Sequence, residues 1–239
     1  MNQPLEVSET PADVTHLPSF PVRIVQVVTA PGALFARLKE VPVWIDVMIV
    51  LIVLGVLFQF VQPESLRLAA VRQFVPEGVD PSTIDTSPSV VGTVIGAIIF
   101  TPLFTAIIAG VLLLTYNAVL GGEGTFRQLF AAATHVQVIT MIGAYVVLGL
   151  AFLGSEEMVL SPGLLLPDLG EGLLGRFVGS INVFAIWVCV VLGVAVHQIY
   201  PKRSVGGASA YLLVLYLLLT GVGAAIAGLL LGLAASAGS

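Results

Sequence analysis

Residues 89–125 read SVVGTVIGAIIFTPLFTAIIAGVLLLTYNAVLGGEGT, and no charged side chain stands between Asp85 and Glu123. A helix needs about 20 apolar residues to cross a hydrocarbon core of about 30 Å, whereas a barrel strand alternates apolar and polar residues over about ten. Lipid leaves no third choice, because each backbone N–H and C=O must find its partner inside the helix or inside a closed barrel. The unbroken run therefore predicts a long transmembrane helix. Pro102 near its middle predicts a kink, and Gly121, Gly122 and Gly124 predict its end.

The next residues, FRQLFAAATHVQ (126–137), begin a second apolar run. A phosphate-binding loop would need a strand before the glycines and a Lys-Ser or Lys-Thr pair after them. Here a span precedes them and Phe126 follows. The glycines read instead as a tight hairpin between antiparallel spans, supplying positive φ, with Thr125 capping the next helix.

Three further runs complete the pattern. The expected spans cover residues 44–61, 89–120, 126–153, 177–200 and 207–235. The fold class is an all-α polytopic bundle of five spans. Short interfacial helices are expected in the N-terminal flank and in the first external loop (SLRLAAVRQFV), and an interfacial or re-entrant piece in residues 154–176. Residues 1–21 are polar, acidic and expected to be disordered, with no basic leader region. Residues 22–42 form an amphipathic interfacial segment in which Leu34, Phe35 and Leu38 are expected to face lipid, with Arg37 and Lys39 at the headgroups. Residues 43–239 are the membrane domain. Basic residues orient it. Six (Arg23, Arg37, Lys39, Arg127, Lys202, Arg203) fall on the side of the N-terminus and three (Arg67, Arg72, Arg176) on the other. The N-terminus is thus expected in the cytoplasm and the C-terminus outside.

Composition agrees with that reading and excludes others. The 239 residues are 57% hydrophobic and 10% charged, with mean hydropathy +1.05; a soluble domain carries about 25% charged residues. No basic stripe suggests nucleic acid. The single cysteine, Cys189, can close no intrachain disulfide. Metal-ligand and nucleophile motifs are missing, so neither a metal, a cofactor nor an enzymatic activity is expected.

Polar groups inside spans are the candidate functional residues. His135 lies nine residues into its span, about 13 Å deep at 1.5 Å per residue. Asp46, Asn117, Glu123 and His197, with Arg127, are expected at the cytoplasmic ends of the helices, and Asn182 towards the other side. Asp46 is the conspicuous one, since an acid on so short a stem snorkels poorly. Gly92 with Gly96, and Gly228 with Gly232, have the spacing that allows close helix packing, within the chain or between copies.

The ordered landmarks VTAPGALFARLKEVPVW (28–44), GGEGTFRQLFAAATHV (121–136) and INVFAIWVCVVLGVAV (181–196) resemble the Yip1 domain family in its bacterial branch, over roughly residues 25–235. Phe35, Pro42, Gly121, Gly122, Gly124, Phe126 and Trp187 match the family's pattern and are expected to be structural. The resemblance implies five spans with a cytoplasmic N-terminus and no settled activity for bacterial members, with the bacterial inner membrane as the expected location. It implies a scaffold or adaptor for membrane proteins or lipids, with self-association open. The eukaryotic family's association with small GTPases is not carried over, because the flank before the spans is short. The competing reading is a small transporter or channel component, using Pro102, His135, Gln137 and Asn182.

Overall fold

The structure is a computed structural model that describes residues 17–72, 80, 83–154, 173–179 and 181–237. Most of the expected re-entrant piece (155–172) and most of the expected disordered tail lie outside the described residues. Within them every regular element is a helix: α1 Phe20–Thr29, α2 Pro31–Glu40, α3 Ile45–Val61, α4 Glu64–Arg72, α5 Val90–Leu113, α6 Phe126–Phe152, α7 Leu173–Gly179, α8 Val183–Ile199 and α9 Val205–Ala237. A π-helical turn, Leu114–Val119, continues α5.

Among the described residues, three helices are long and apolar enough to cross a membrane: Val90–Val119, Phe126–Phe152 and Val205–Ile226. Helices α3 and α8 are apolar but have 17 residues each. Helix α8 starts at Val183 and not at residue 177, which belongs to α7, and Asn182 marks that start. Its Oδ1 accepts the Phe184 N–H at 2.8 Å, an N-cap. Helix α6 starts with a full capping box: Thr125 Oγ1 accepts from Gln128 N–H, and Gln128 Oε1 accepts from Thr125 N–H. Helix α5 runs unbroken through Pro102.

Helix α6 is the hub. It packs against α1, α2, α3, α5 and α8, while α9 lies on α8. Its first half, Leu129 to Val136, is entirely buried. The N-terminal flank corrects the expectation drawn from its pattern. Leu34, Phe35 and Leu38 do not face lipid; they are at most 2% exposed and belong to the core, where α2 packs on α8 and α6. Their stripe repeats at i, i+1 and i+4, which a membrane surface and a protein face satisfy equally well.

Gly92 and Gly96 make no close approach to another helix of the same chain, which leaves packing between copies open. A Cβ on Gly92 or Gly96 would meet only side chains of its own helix, Ser89 and Phe100. The close approaches are elsewhere. A Cβ on Gly143 of α6 would stand 2.6 Å from the Phe184 ring of α8, and one on Gly193 of α8 would stand 2.8 Å from the Ser209 backbone nitrogen of α9. These two glycines set the α6–α8 and α8–α9 separations.

Candidate functional site

Two polar clusters sit in the bundle. The first joins α1, α3 and α6. Arg23 lies on α1 one helical turn from Phe20 and Val27, so all three share the face turned to α6. It is 3% exposed. Its Nη2 donates to Asp46 Oδ2 on α3, and its Nη1 lies 3.2 Å from His135 Nε2 on α6. Asp46 Oδ1 accepts the Val47 N–H at 2.9 Å. His135, fully buried, places Nδ1 2.8 Å from the Ala131 carbonyl.

These partners fix the state of the histidine. A carbonyl only accepts and a guanidinium only donates. Nδ1 therefore carries the proton, and Nε2 offers its lone pair to Arg23. The imidazole is neutral, and the chain Asp46–Arg23–His135–Ala131 has one direction of donation on each side of Arg23. The guanidinium also lies over the Phe20 ring, 5.9 Å from its centroid. Arg23 Nε and Gln26 Oε1 are buried without hydrogen-bond partners. Trp44 meets Phe130 edge-on at 4.9 Å and holds the entry to α3 against α6.

The second cluster locks the glycine turn to the α8–α9 turn. Asn117, in the π-helical segment, donates Nδ2 to the Gly124 carbonyl at 2.6 Å. Its Oδ1 accepts from Gly124 N–H at 3.2 Å and from the Tyr200 hydroxyl at 2.7 Å. Tyr200 stacks on Tyr116 at 5.2 Å, and Tyr116 meets Tyr211 edge-on. Arg203 donates Nη2 to the Leu120 carbonyl at 2.6 Å, and His197 Nδ1 donates to the Arg203 carbonyl at 2.6 Å. The π turn returns the backbone: Leu120 N–H reaches Thr115 O, and Gly122 N–H reaches Tyr116 O.

The expected end-of-helix group thus divides. Asp46 and His135 belong to the first cluster, Asn117 and His197 to the second, and Glu123 is exposed beside the turn. Asn182 caps α8, and its N–H donates to the Tyr216 hydroxyl at 3.0 Å. Gln137 donates to Thr105 Oγ1, which donates to the Thr101 carbonyl at 2.8 Å. Arg23, the centre of the first cluster, was not among the expected site residues. Among the described residues no three His, Cys, Asp or Glu side chains come together as a metal site would need.

Of the landmark residues, Phe35 is core and Pro42 lies in the link between α2 and α3. Gly121, Gly122 and Gly124 form the locked turn. Phe126 packs on Phe130 at 5.7 Å, and Trp187 packs half-buried against the core. No curated protein and no solved structure matches the chain. The family model of the Yip1 domain matches residues 25–235, from inside α1 to inside α9, and so takes in the glycine lock and all of the first cluster except Arg23. The chain belongs to the Yip1 domain family.

Proposed function

We propose that the protein is a non-enzymatic membrane scaffold of the bacterial inner membrane, which organises other membrane proteins or lipids. The supporting observation is what the polar side chains within the bundle do, of which His135 is fully buried and the others partly. Asn117, His135, Gln137 and Asn182 each hold a turn, a neighbouring helix or a helix end. A group occupied in this way contributes to shape more readily than to chemistry on a passing solute. In-cell photocrosslinking with mass spectrometry of what co-purifies tests the reading. One membrane-protein partner at near-equal stoichiometry is the expected result. A lone chain whose proteoliposomes pass protons or a solute, and lose that flux in His135→Ala, would replace the scaffold with the transporter reading.

The scaffold reading includes α3 and α8 as spans, giving five in all, with the N-terminus cytoplasmic. Each is about 25 Å long at 1.5 Å per residue, a mismatch that local thinning of the bilayer accommodates. Ser87 and Lys202 discriminate the topologies. With five spans they lie on opposite sides; with only α5, α6 and α9 crossing they lie on the same side. In a Cys189→Ala background, Ser87→Cys is expected to react with an impermeant maleimide in intact spheroplasts and Lys202→Cys only after lysis. Equal labelling of both in intact spheroplasts would leave three spans.

A further inference from the structure

A groove of about 390 Å³ runs along the bundle between α1, α3 and α6. Phe20 and Ile24 form one wall, Val50 and Leu54 a second, Met141 and Tyr145 a third. Its lining is almost wholly apolar, and it is open on one side. Tyr145 closes the far end by donating its hydroxyl to the Leu54 carbonyl at 2.9 Å. From Val47 to Leu54 the groove is about 10 Å long at 1.5 Å per residue. Neither Asp46 nor Arg23 lines the groove, but each stands one residue from a lining residue at its near end, Asp46 before Val47 on α3 and Arg23 before Ile24 on α1.

Exposure gives that end a sign. The Arg23 side chain is 4% exposed and the Asp46 side chain 45%. The ion pair therefore turns its carboxylate outwards and hides its cation. Asp46 keeps lone pairs free beyond those used by Arg23 and Val47, and a carboxylate has about four acceptor sites. An occupant of the groove meets an apolar channel and then a negative, hydrogen-bond-accepting rim.

We propose that this groove binds one molecule of an amine-bearing glycerophospholipid, with an acyl chain between α1, α3 and α6 and the ammonium group on Asp46. An anionic headgroup would meet the carboxylate before it met Arg23. A choline headgroup has no N–H to donate. Ethanolamine fits both the charge and the donor requirement. The inference rests on the reading of α3 as a span, which sets Asp46 at the depth of the headgroups.

The test uses purified full-length protein in vesicles of equal parts phosphatidylethanolamine, phosphatidylglycerol and phosphatidylcholine, with retained lipid identified by native mass spectrometry. Wild type is expected to retain one phosphatidylethanolamine, preferred by about tenfold, the worth of one charge-assisted hydrogen bond. Val50→Trp, which fills the groove from its rim, should lose retained lipid of every class. Asp46→Glu should keep the preference, and Asp46→Asn should lose it while still retaining lipid. Retention of phosphatidylglycerol at least as strongly as phosphatidylethanolamine would overturn the proposal, as would unchanged retention in a folded Val50→Trp. The assay contains no partner protein, so its failure leaves the scaffold reading to the crosslinking result. Failure of α3 to span shows separately in the maleimide labelling.

Discussion

Arg23→Met destabilises the protein by about 2–4 kcal/mol, and His135→Leu by about 3–5 kcal/mol, although the two side chains touch through a single hydrogen bond. The asymmetry follows from what each change strands. Without Arg23, Asp46 loses its partner, but its half-exposed carboxylate recovers water, so that part of the cost is small. The larger part is the Nε2 lone pair of His135, fully buried with no other donor. Without His135, Arg23 keeps Asp46 but its buried guanidinium loses an acceptor while its Nε is already unpartnered. Buried charge with missing partners is the costlier state. The double variant removes both strandings, so its cost should fall short of the sum by more than about 1 kcal/mol, above the roughly 0.6 kcal/mol typical of interhelical hydrogen bonds in membranes. Reversible unfolding in mixed micelles measures all four corners of the cycle. Additive costs would mean that the Arg23–His135 contact carries no energy and that α1 is held to α6 by packing alone, with the Asp46 ion pair tying it to α3.

Much of this architecture is legible in the residues, and the part that is not has a physical cause. The charge-free run before Glu123 forces a membrane helix whatever the tertiary structure. The glycines and Thr125 specify the turn and the cap locally, and both are present. Partner choice is different. Leu34, Phe35 and Leu38 form a stripe that periodicity reveals, but periodicity does not say whether lipid or α8 covers it. Arg23 hides for the same reason: an arginine in an apolar flank reads as a headgroup contact. The usable signal was Asp46, an acid on a short stem in an apolar helix, which needs a cation within reach; Arg23 is the basic residue of the flank that lies on the α6-facing stripe with Phe20 and Val27. The close-packing glycines, Gly143 and Gly193, belong to no Gly-xxx-Gly repeat, because a single glycine suffices where a Phe184 ring or the Ser209 backbone presses in.

The glycine turn carries the second large effect, and its three glycines should respond differently to alanine. Gly121 alone has positive φ, at +68°, and a Cβ there would meet nothing within 4 Å. Gly121→Ala should therefore cost about 1–2 kcal/mol, from the left-handed conformation only. Gly122 and Gly124 have no such conformational demand; their constraint is space. A Cβ on Gly124 would overlap the Tyr200 hydroxyl and approach Ile199 Cγ2 to 2.9 Å, so side chains make up the obstacle. A Cβ on Gly122 would stand 2.6 Å from the Tyr200 ring and 2.7 Å from the Tyr116 carbonyl oxygen, which is backbone and already accepts the Gly122 N–H. Each alanine should cost about 1–3 kcal/mol by overpacking, with Gly122→Ala at the upper end. Tyr200→Leu separates the two. It removes the nearer obstacle at Gly124 and leaves the Ile199 side chain, so Gly124→Ala should cost less in that background. It leaves the Tyr116 carbonyl in place, so Gly122→Ala should stay costly. Thermal unfolding in detergent of the four single variants and two doubles reads the pattern. Equal rescue of both glycines by Tyr200→Leu would mean that the ring, and not the returning backbone of the π turn, is what the turn is built around.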